Sequence, residues 1–171
     1  MINKIKFPLW TLLSFLAVTA VSCKKPDIKG EEIAVQRVNV SFNTRDGQIK
    51  IPDRDTGYTK TASTVDVPLQ VMLSDAAPTR FDIGVTVNND TVNKMIADNM
   101  LPDGVLLPED AFTLPNLVDV PFGAGHAEFT LKVNLAVFEK YYGKTLVLAV
   151  ELSDPTKNNT LDAAKNTVVV Q

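Results

Sequence analysis

The strongest constraint on the fold is a regular alternation of apolar and polar residues between Val65 and Leu73. The apolar residues at every second position are Val65, Val67, Leu69, Val71 and Leu73. Because successive side chains of a β-strand point to opposite faces of its sheet, this period of two predicts a strand with one buried face. Pro68 has no amide hydrogen to donate, so we predict that this strand lies at a sheet edge or bulges there.

The same alternation recurs in other segments, and together they predict an all-β domain. Strands are predicted at 33–42, 65–73, 81–87, 107–115, 117–122, 127–134, 145–152 and 167–170, with a shorter strand at 49–51. Segment 145–152 is rich in Leu and Val at both phases, which predicts a central strand that is buried on both faces. Seven or eight short strands separated by polar turns are typical of an immunoglobulin-like β-sandwich.

Two segments have helical spacing instead. Val92, Met95 and Ile96 lie within 90–100 at helical intervals, which predicts one short helix capped by Asp90 or Thr91. Segment 135–143 is compatible with a single helical turn that ends at its glycine.

The first 25 residues have the features of an export signal. Lys4 and Lys6 make the start basic, and a mostly apolar run follows at 9–21. This run is shorter than the roughly 20 residues that a membrane-spanning helix needs, but it suits the core of a signal peptide. We therefore predict a signal peptide at 1–22.

Cys23 is the only cysteine, and it follows the small residues Ala20 and Ser22. It resembles the lipobox cysteine of bacterial lipoproteins. The resemblance implies that its thiol takes a diacylglyceryl group, that cleavage occurs before it, and that the new amino terminus is acylated. Several acyl chains hold a protein stably at a membrane, whereas one holds it only reversibly. We predict a lipidated Cys23 with a flexible tether at 23–32, a sandwich domain at 33–171, and an outer-membrane location on the periplasmic or cell-surface face.

The charge of the chain argues against nucleic acid as a partner. Without Lys4 and Lys6, the 17 Lys and Arg fall to 15, against 20 Asp and Glu, which gives a net charge of −5. Nucleic-acid-binding domains instead carry basic patches or stripes.

The residues with catalytic chemistry are few. His126 is the only histidine, and Cys23 is assigned to lipidation, so nucleophilic catalytic sites and zinc sites lack their usual residues. Glu109–Asp110 would make a glycosidase pair only if Asp119 or Glu128 faced them across about 5 to 9.5 Å. Scattered carboxylates on a sandwich surface usually serve solvation. We therefore predict a protein that is not an enzyme and has no cofactor.

Asp53 and Asp55 have the initial spacing of a calcium-binding loop. Counting from Asp53, the twelfth position is Thr64 where the standard loop has a bidentate Glu. A polar turn and a non-standard Ca²⁺ site remain alternatives.

Aromatic side chains near loops can stack on sugar rings, and Tyr58, Tyr141 and Tyr142 are the candidates for ligand binding. Consecutive side chains point apart, so we expect one of Tyr141 and Tyr142 to pack in the core. Core packing is the alternative role for all three.

The order of segments resembles one known family. It comprises a strand with Pro68, the strand 81–87, a short helix, Leu114–Pro115, the strand 118–122, the turn 123–125, an alternating strand and a Leu-rich strand. Over about 33–170, the chain resembles the immunoglobulin-like, Calx-beta-like N-terminal domain of unknown function in Bacteroidetes lipoproteins. Members of that family often precede glycan-binding or glycosidase domains in polysaccharide-uptake systems.

These features together predict a lipid-anchored accessory binding or scaffold module of the cell envelope, associated with polysaccharide capture and uptake. The alternative is a structural or fimbrial-type envelope subunit that assembles by strand addition through Val168–Val170. The identity of the glycan or protein partner does not follow from the sequence.

Overall fold

The alternating segments form two β-sheets that face each other. The computed structural model describes residues 36–51 and 57–171, and these ranges contain twelve strands and two α-helices. In chain order the elements are β1 (Asn39–Phe42), β2 (Gln48–Ile49), β3 (Thr59–Lys60), β4 (Thr64–Leu73), β5 (Phe81–Val87), α1 (Asn89–Ala97), β6 (Gly104–Leu106), β7 (Phe112–Thr113), β8 (Leu117–Val120), β9 (His126–Asn134), α2 (Ala136–Lys140), β10 (Thr145–Ser153), β11 (Thr160–Leu161) and β12 (Thr167–Val170).

The first sheet has the strand order β11-β1-β4-β9-β7, with β3 also paired to β4. The second has the order β2-β12-β10-β5-β8, with β6 also paired to β10. Most neighbours are antiparallel, and the pairs β1–β11, β6–β10 and β2–β12 are parallel. The fold is thus the all-β, immunoglobulin-like sandwich that the sequence predicts.

The strand count exceeds the predicted seven or eight because several strands have only two or three residues. These are β2, β3, β6, β7 and β11. A segment of this length has no measurable periodicity, so it becomes a strand only when a longer neighbour supplies hydrogen-bond partners. The predicted strand at 107–115 accordingly begins with a 3₁₀ turn at Glu109–Ala111 and pairs only at β7.

The core lies between the inward faces of the two sheets. Val67 and Leu69 of β4 and Leu131 of β9 have no exposed surface, and neither has Ile83 of β5. They belong to one continuous cluster of buried residues. The phase predicted for 65–73 is therefore confirmed: its five apolar side chains are buried.

Pro68 neither places its strand at an edge nor makes it bulge against β9, contrary to the prediction. β4 lies inside the first sheet and pairs with β9 at every position from Thr64 to Met72. On its other side, β4 pairs with β3 at Val65–Asp66 and with β1 at Val71–Leu73, which leaves Pro68 between them. The carbonyl of Gln70 faces β1, since it accepts a hydrogen bond from the amide of Asn43. Pro68, two residues away, faces the same side and lies where no partner strand needs its amide.

The prediction that β10 is buried on both faces is confirmed. Leu148 and Val150 point into the sandwich core, whereas Val147 and Ala149 belong to a second cluster with Val92 of α1. Helix α1 therefore covers the outer face of the second sheet. Its cap is Asn88 and not Asp90 or Thr91, since the Asn88 side chain accepts a hydrogen bond from the amide of Thr91.

The C-terminal strand β12 is an interior strand. It pairs with β10 along all four of its residues and with β2 at Val169 and Val170. Val168, Val169 and Val170 are buried. The segment considered for strand addition therefore pairs within its own sheet on both sides.

Candidate functional site

A cleft of about 530 Å³ lies at one end of the sandwich, where β4 and β10 begin and β9 and β12 end. We call it the end cleft. Its lining residues are Ile51, Tyr58, Lys60, Val65, Leu107, Leu131, Val133, Leu135, Phe138, Lys144, Thr145, Leu146, Leu148, Val170 and Gln171.

The floor of the end cleft is the exposed margin of the sandwich core. Leu131 and Val133 come from the inward phase of β9, and Leu146 and Leu148 come from the inward phase of β10. Leu131 and Leu148 are buried, while Leu146 is only half-buried. The two sheets thus leave an apolar opening that no other described side chain fills.

Two aromatic side chains border this opening. Tyr58 immediately precedes β3, is half-buried and packs against the core. Phe138 comes from α2 and is 41% exposed. The sequence analysis identified Tyr58 but missed Phe138. The spacing of Val137 and Tyr141 could have indicated it. These two residues lie four positions apart and pack against the core, so Phe138 lies on another side of the helical turn.

The three tyrosines proposed for ligand binding do not form one site. Tyr141 packs against the core, lies under the Lys140 Nζ at 5.4 Å from its ring centre, and lines a separate, shallow cavity of about 170 Å³. Tyr142 is 93% exposed and lines neither cavity. The expectation that one of the adjacent pair packs in the core is confirmed for Tyr141. Only Tyr58 lies in the end cleft.

Two lysines also line the end cleft, one from each sheet. Lys60 lies opposite Val65 in the pairing of β3 with β4, so it shares the inward phase of that strand. Lys144 immediately precedes β10 and has its Nζ 3.8 Å from the Asp103 Oδ1. The rim therefore combines aromatic rings with amines above an apolar floor.

The carboxylates considered for a glycosidase lie on three separate elements. Asp119 on β8 forms an ion pair with Arg80 at 2.6 Å, and this hydrogen bond, followed by the charge of Asp119, raises the pKa of Arg80. Glu128 accepts a hydrogen bond from Gln70 at 2.9 Å. Glu109–Asp110 lie in the exposed 3₁₀ turn before β7. Since β7 begins opposite Val133, Glu128 lies about 16 Å farther along β9.

The outer face of the first sheet is mostly polar, apart from Pro68 and Met72 of β4. His126 is exposed at the start of β9, opposite Met72. Asn43, Gln70 and Glu128 are linked by side-chain hydrogen bonds. Asp66 binds the Lys132 Nζ at 2.7 Å, and this hydrogen bond, followed by one from Thr64, lowers the pKa of Asp66. Apart from His126, these polar side chains are hydrogen-bonded to one another, and none of them is a tyrosine, phenylalanine or tryptophan.

Several predictions fall outside the described residues. These concern the signal peptide at 1–22, Cys23 with its tether, and the calcium candidates Asp53 and Asp55. Within the described ranges, no group of three or more His, Cys, Asp or Glu side chains is placed to hold a metal ion. Neither helix of these ranges is long and apolar enough to cross a membrane.

Solved structures from Bacteroides share this fold. One, from Bacteroides ovatus, is provisionally named a carbohydrate binding protein (TM-score 0.56, 18% identity, 77% of this chain and 36% of that chain). Another, from Bacteroides thetaiotaomicron, is named an auxiliary nutrient binding protein (TM-score 0.52, 15% identity, 72% of this chain and 43% of that chain). The apo form of the Calx CBD1 domain is also similar (TM-score 0.50, 13% identity, 79% of this chain and 96% of that chain).

The chain spans between 36% and 45% of the length of the first four Bacteroides structures that it matches. No curated protein matches the sequence. The model of a protein family described as a "-like, N-terminal domain" matches residues 28–159, about three quarters of the chain. The protein therefore belongs to this family of N-terminal domains, and its fold is an immunoglobulin-like sandwich similar to a Calx-beta domain.

Proposed function

We propose that this protein is a non-catalytic binding module of the bacterial cell envelope, anchored by lipid at Cys23, and that it takes a saccharide in the end cleft. The observation that carries the proposal is the position of Tyr58 and Phe138 at the rim of an apolar opening of about 530 Å³. Ligand sites in proteins typically have volumes of about 300 to 1,000 Å³ and are lined by apolar and aromatic side chains with a few polar groups.

The chemistry of the rim suits a sugar ring. A pyranose has one face of C–H groups, which packs on an aromatic ring, and a periphery of hydroxyl groups, which needs hydrogen-bond partners. Tyr58 and Phe138 supply rings, and the Tyr58 hydroxyl, Thr145 and Gln171 supply polar groups within the same lining. Tyr is well suited to this role because it combines an apolar body with a polar end.

The position of the cleft also fits a binding role. β-Sandwiches place binding residues on the connections at one end, where sequence can vary without loss of the core. Tyr58 and Phe138 both lie on such connections. Two structures with this fold carry names that refer to carbohydrate and nutrient binding, which supports a binding role in general.

The test is saccharide binding by the purified, detergent-solubilised protein on an array of neutral and acidic polysaccharides. Tyr58→Ala and Phe138→Ala should each weaken binding about tenfold, which corresponds to roughly 1.4 kcal/mol. Tyr142→Ala is the matched control, since this ring is fully accessible and lies outside the cleft. A folded protein that binds no saccharide, or that loses binding only with Tyr142→Ala, would exclude the end cleft as a saccharide site.

The anchor is tested separately by replacing Cys23 with Ala. Loss of the thiol prevents acylation, so the variant should leave the membrane fraction while the domain stays folded. Continued partition of Cys23→Ala with membranes would contradict lipid anchoring at this residue.

A further inference from the structure

The two lysines give the rim of the end cleft a positive charge, whereas the whole chain has a negative net charge. The chain has a formal net charge of −3, yet the charged residues among the described lining of the cleft are Lys60 and Lys144. No described lining side chain is acidic. A general attraction of anions to this protein is not expected, so a preference for a negative ligand requires a local basic site such as this rim.

Lys60 is directed to the cleft by strand pairing. β3 and β4 pair so that Lys60 lies opposite Val65, whose side chain is buried in the core. Opposite residues of paired strands project to the same face of the sheet, so Lys60 extends over the apolar floor. Among the described residues, no carboxylate forms an ion pair with Lys60.

Lys144 reaches the cleft from the other sheet. The amide of Lys144 donates to the carbonyl of Tyr141, and the amide of Thr145 donates to the carbonyl of Asp103, which fixes the start of β10. The Lys144 Nζ lies 3.8 Å from the Asp103 carboxylate, and both side chains are more than half exposed. Exposed pairs of this length contribute little, so an anionic ligand can compete for the ammonium group.

From this arrangement we propose that the ligand of the end cleft is an acidic saccharide, whose carboxylate or sulfate group lies between Lys60 and Lys144 while its ring packs on Tyr58 and Phe138. This inference rests on the function proposed above and specifies the ligand class of that site. Lysine presents a compact charge with rotatable donors, which accommodates a planar carboxylate and a tetrahedral sulfate alike. The shared chemistry is therefore an anionic substituent on a sugar ring.

The experiment compares saccharides that differ only in charge. The carboxylate probe is a galacturonate hexasaccharide beside its neutral methyl ester, and the sulfate probe is a sulfated galactan hexasaccharide beside its desulfated form. Each is titrated into the purified full chain. At least one acidic probe should bind about tenfold more tightly than its neutral counterpart. Raising the ionic strength from about 0.01 to 0.15 M shortens the Debye length from roughly 30 to 8 Å and should reduce that difference.

Charge variants of the protein provide the second arm. Lys60→Gln and Lys144→Gln should each weaken binding of the acidic probe about threefold to tenfold and weaken binding of the neutral probe less. Lys60→Arg keeps the charge and should retain the preference. Lys94→Gln is the matched control because Lys94 is exposed on α1 and lies outside the cleft.

The outcomes separate this inference from the function on which it rests. Equal affinity for acidic and neutral probes, or unchanged acidic binding in both cleft Lys→Gln variants, overturns the acidic class alone. Binding of neutral array glycans with no binding of either acidic probe also overturns it. No saccharide binding by a folded protein overturns the proposed function as well.

Discussion

The two outer faces of the sandwich are built in opposite ways. On the first sheet, most outward residues of β4 and β9 are polar and contact solvent, with cross-strand pairs such as Asp66 with Lys132, and Pro68 and Met72 are the apolar residues of the outward phase of β4. On the second sheet, Val147 and Ala149 of β10 point outward but are buried beneath α1. One sheet therefore has a single buried face, and the other has two.

This difference shows where the protein can present a binding surface. The second sheet uses its outer face to hold α1, so that face is unavailable to a ligand. The first sheet exposes polar side chains that are already paired with one another, such as Gln70 with Glu128. The end cleft, between the two sheets, is where aromatic and apolar groups border a cavity.

The largest expected effect is that of a charge on the covered outer face of the second sheet. Val147→Asp buries a carboxylate beneath α1, since Val147 has no exposed surface, and should cost at least about 3 kcal/mol or prevent folding. Thr130→Asp places the same group on the open face and should change stability by less than about 1 kcal/mol. Urea denaturation of both proteins measures the difference, and equal losses would contradict the distinction between the faces.

A milder change tests whether α1 contributes to stability through its packing. Val92→Ala removes two methyl groups from a fully buried position and should lower the free energy of unfolding by about 2 kcal/mol. Lys94→Ala, on the exposed side of the same helix, is the control and should be nearly neutral. If Val92→Ala is as stable as the control, α1 does not pack firmly on the sheet.

The start of α1 is tested by Asn88→Ala. Asn88 accepts a hydrogen bond from the Thr91 amide at 3.0 Å and donates one to Glu151 on β10 at 2.7 Å. Its loss should cost about 1 kcal/mol. Asn93→Ala makes the same chemical change at an exposed position within the helix and should not destabilise it. Thermal unfolding measures the stability of both variants. Equal melting temperatures would contradict the assignment of Asn88 as the cap.

The smallest effect is expected on the open face. The hydrogen bond from Lys132 lowers the pKa of Asp66 below its ordinary value of 3.8, so the folded state favours the charged carboxylate. Its contribution to stability is therefore present at neutral pH and is lost as the pH falls below 3.8 toward the folded pKa. Asp66→Asn should slightly lower the melting temperature at neutral pH and have no effect in acid. A difference in melting temperature that grows in acid would contradict the lowered pKa of Asp66.

The longer elements could be predicted from the sequence because burial alone decides them. The alternation in 65–73 and 81–87 sets the phase of β4 and β5, and the apolar residues at both phases of 145–152 predict β10 correctly. The position of Pro68 could not be predicted. Its compatibility with an interior strand depends on a gap between β3 and β1, and β1 lies far from Pro68 in the chain.

The candidate site was only partly accessible from the sequence. Tyr58 was identified as an exposed aromatic candidate, but it was grouped with Tyr141 and Tyr142, which the fold places elsewhere. Phe138 and Lys60 were missed because their direction depends on the turn of α2 and on the pairing of a two-residue strand. The lipid anchor at Cys23 and the calcium candidates Asp53 and Asp55 stay predictions.

The sequence by itself determined the all-β class, the phase of the long strands and the existence of one short helix between 81–87 and the following strands. These follow from local patterns, since the spacing of apolar residues along a short segment indicates a strand or a helix and its buried face. Only the tertiary structure decided which strands are neighbours, which face α1 covers, and that Tyr58, Lys60, Phe138 and Lys144 line one cleft. Those relations join residues that are far apart in the chain, and their geometry depends on strand pairing and sheet packing that no local pattern specifies.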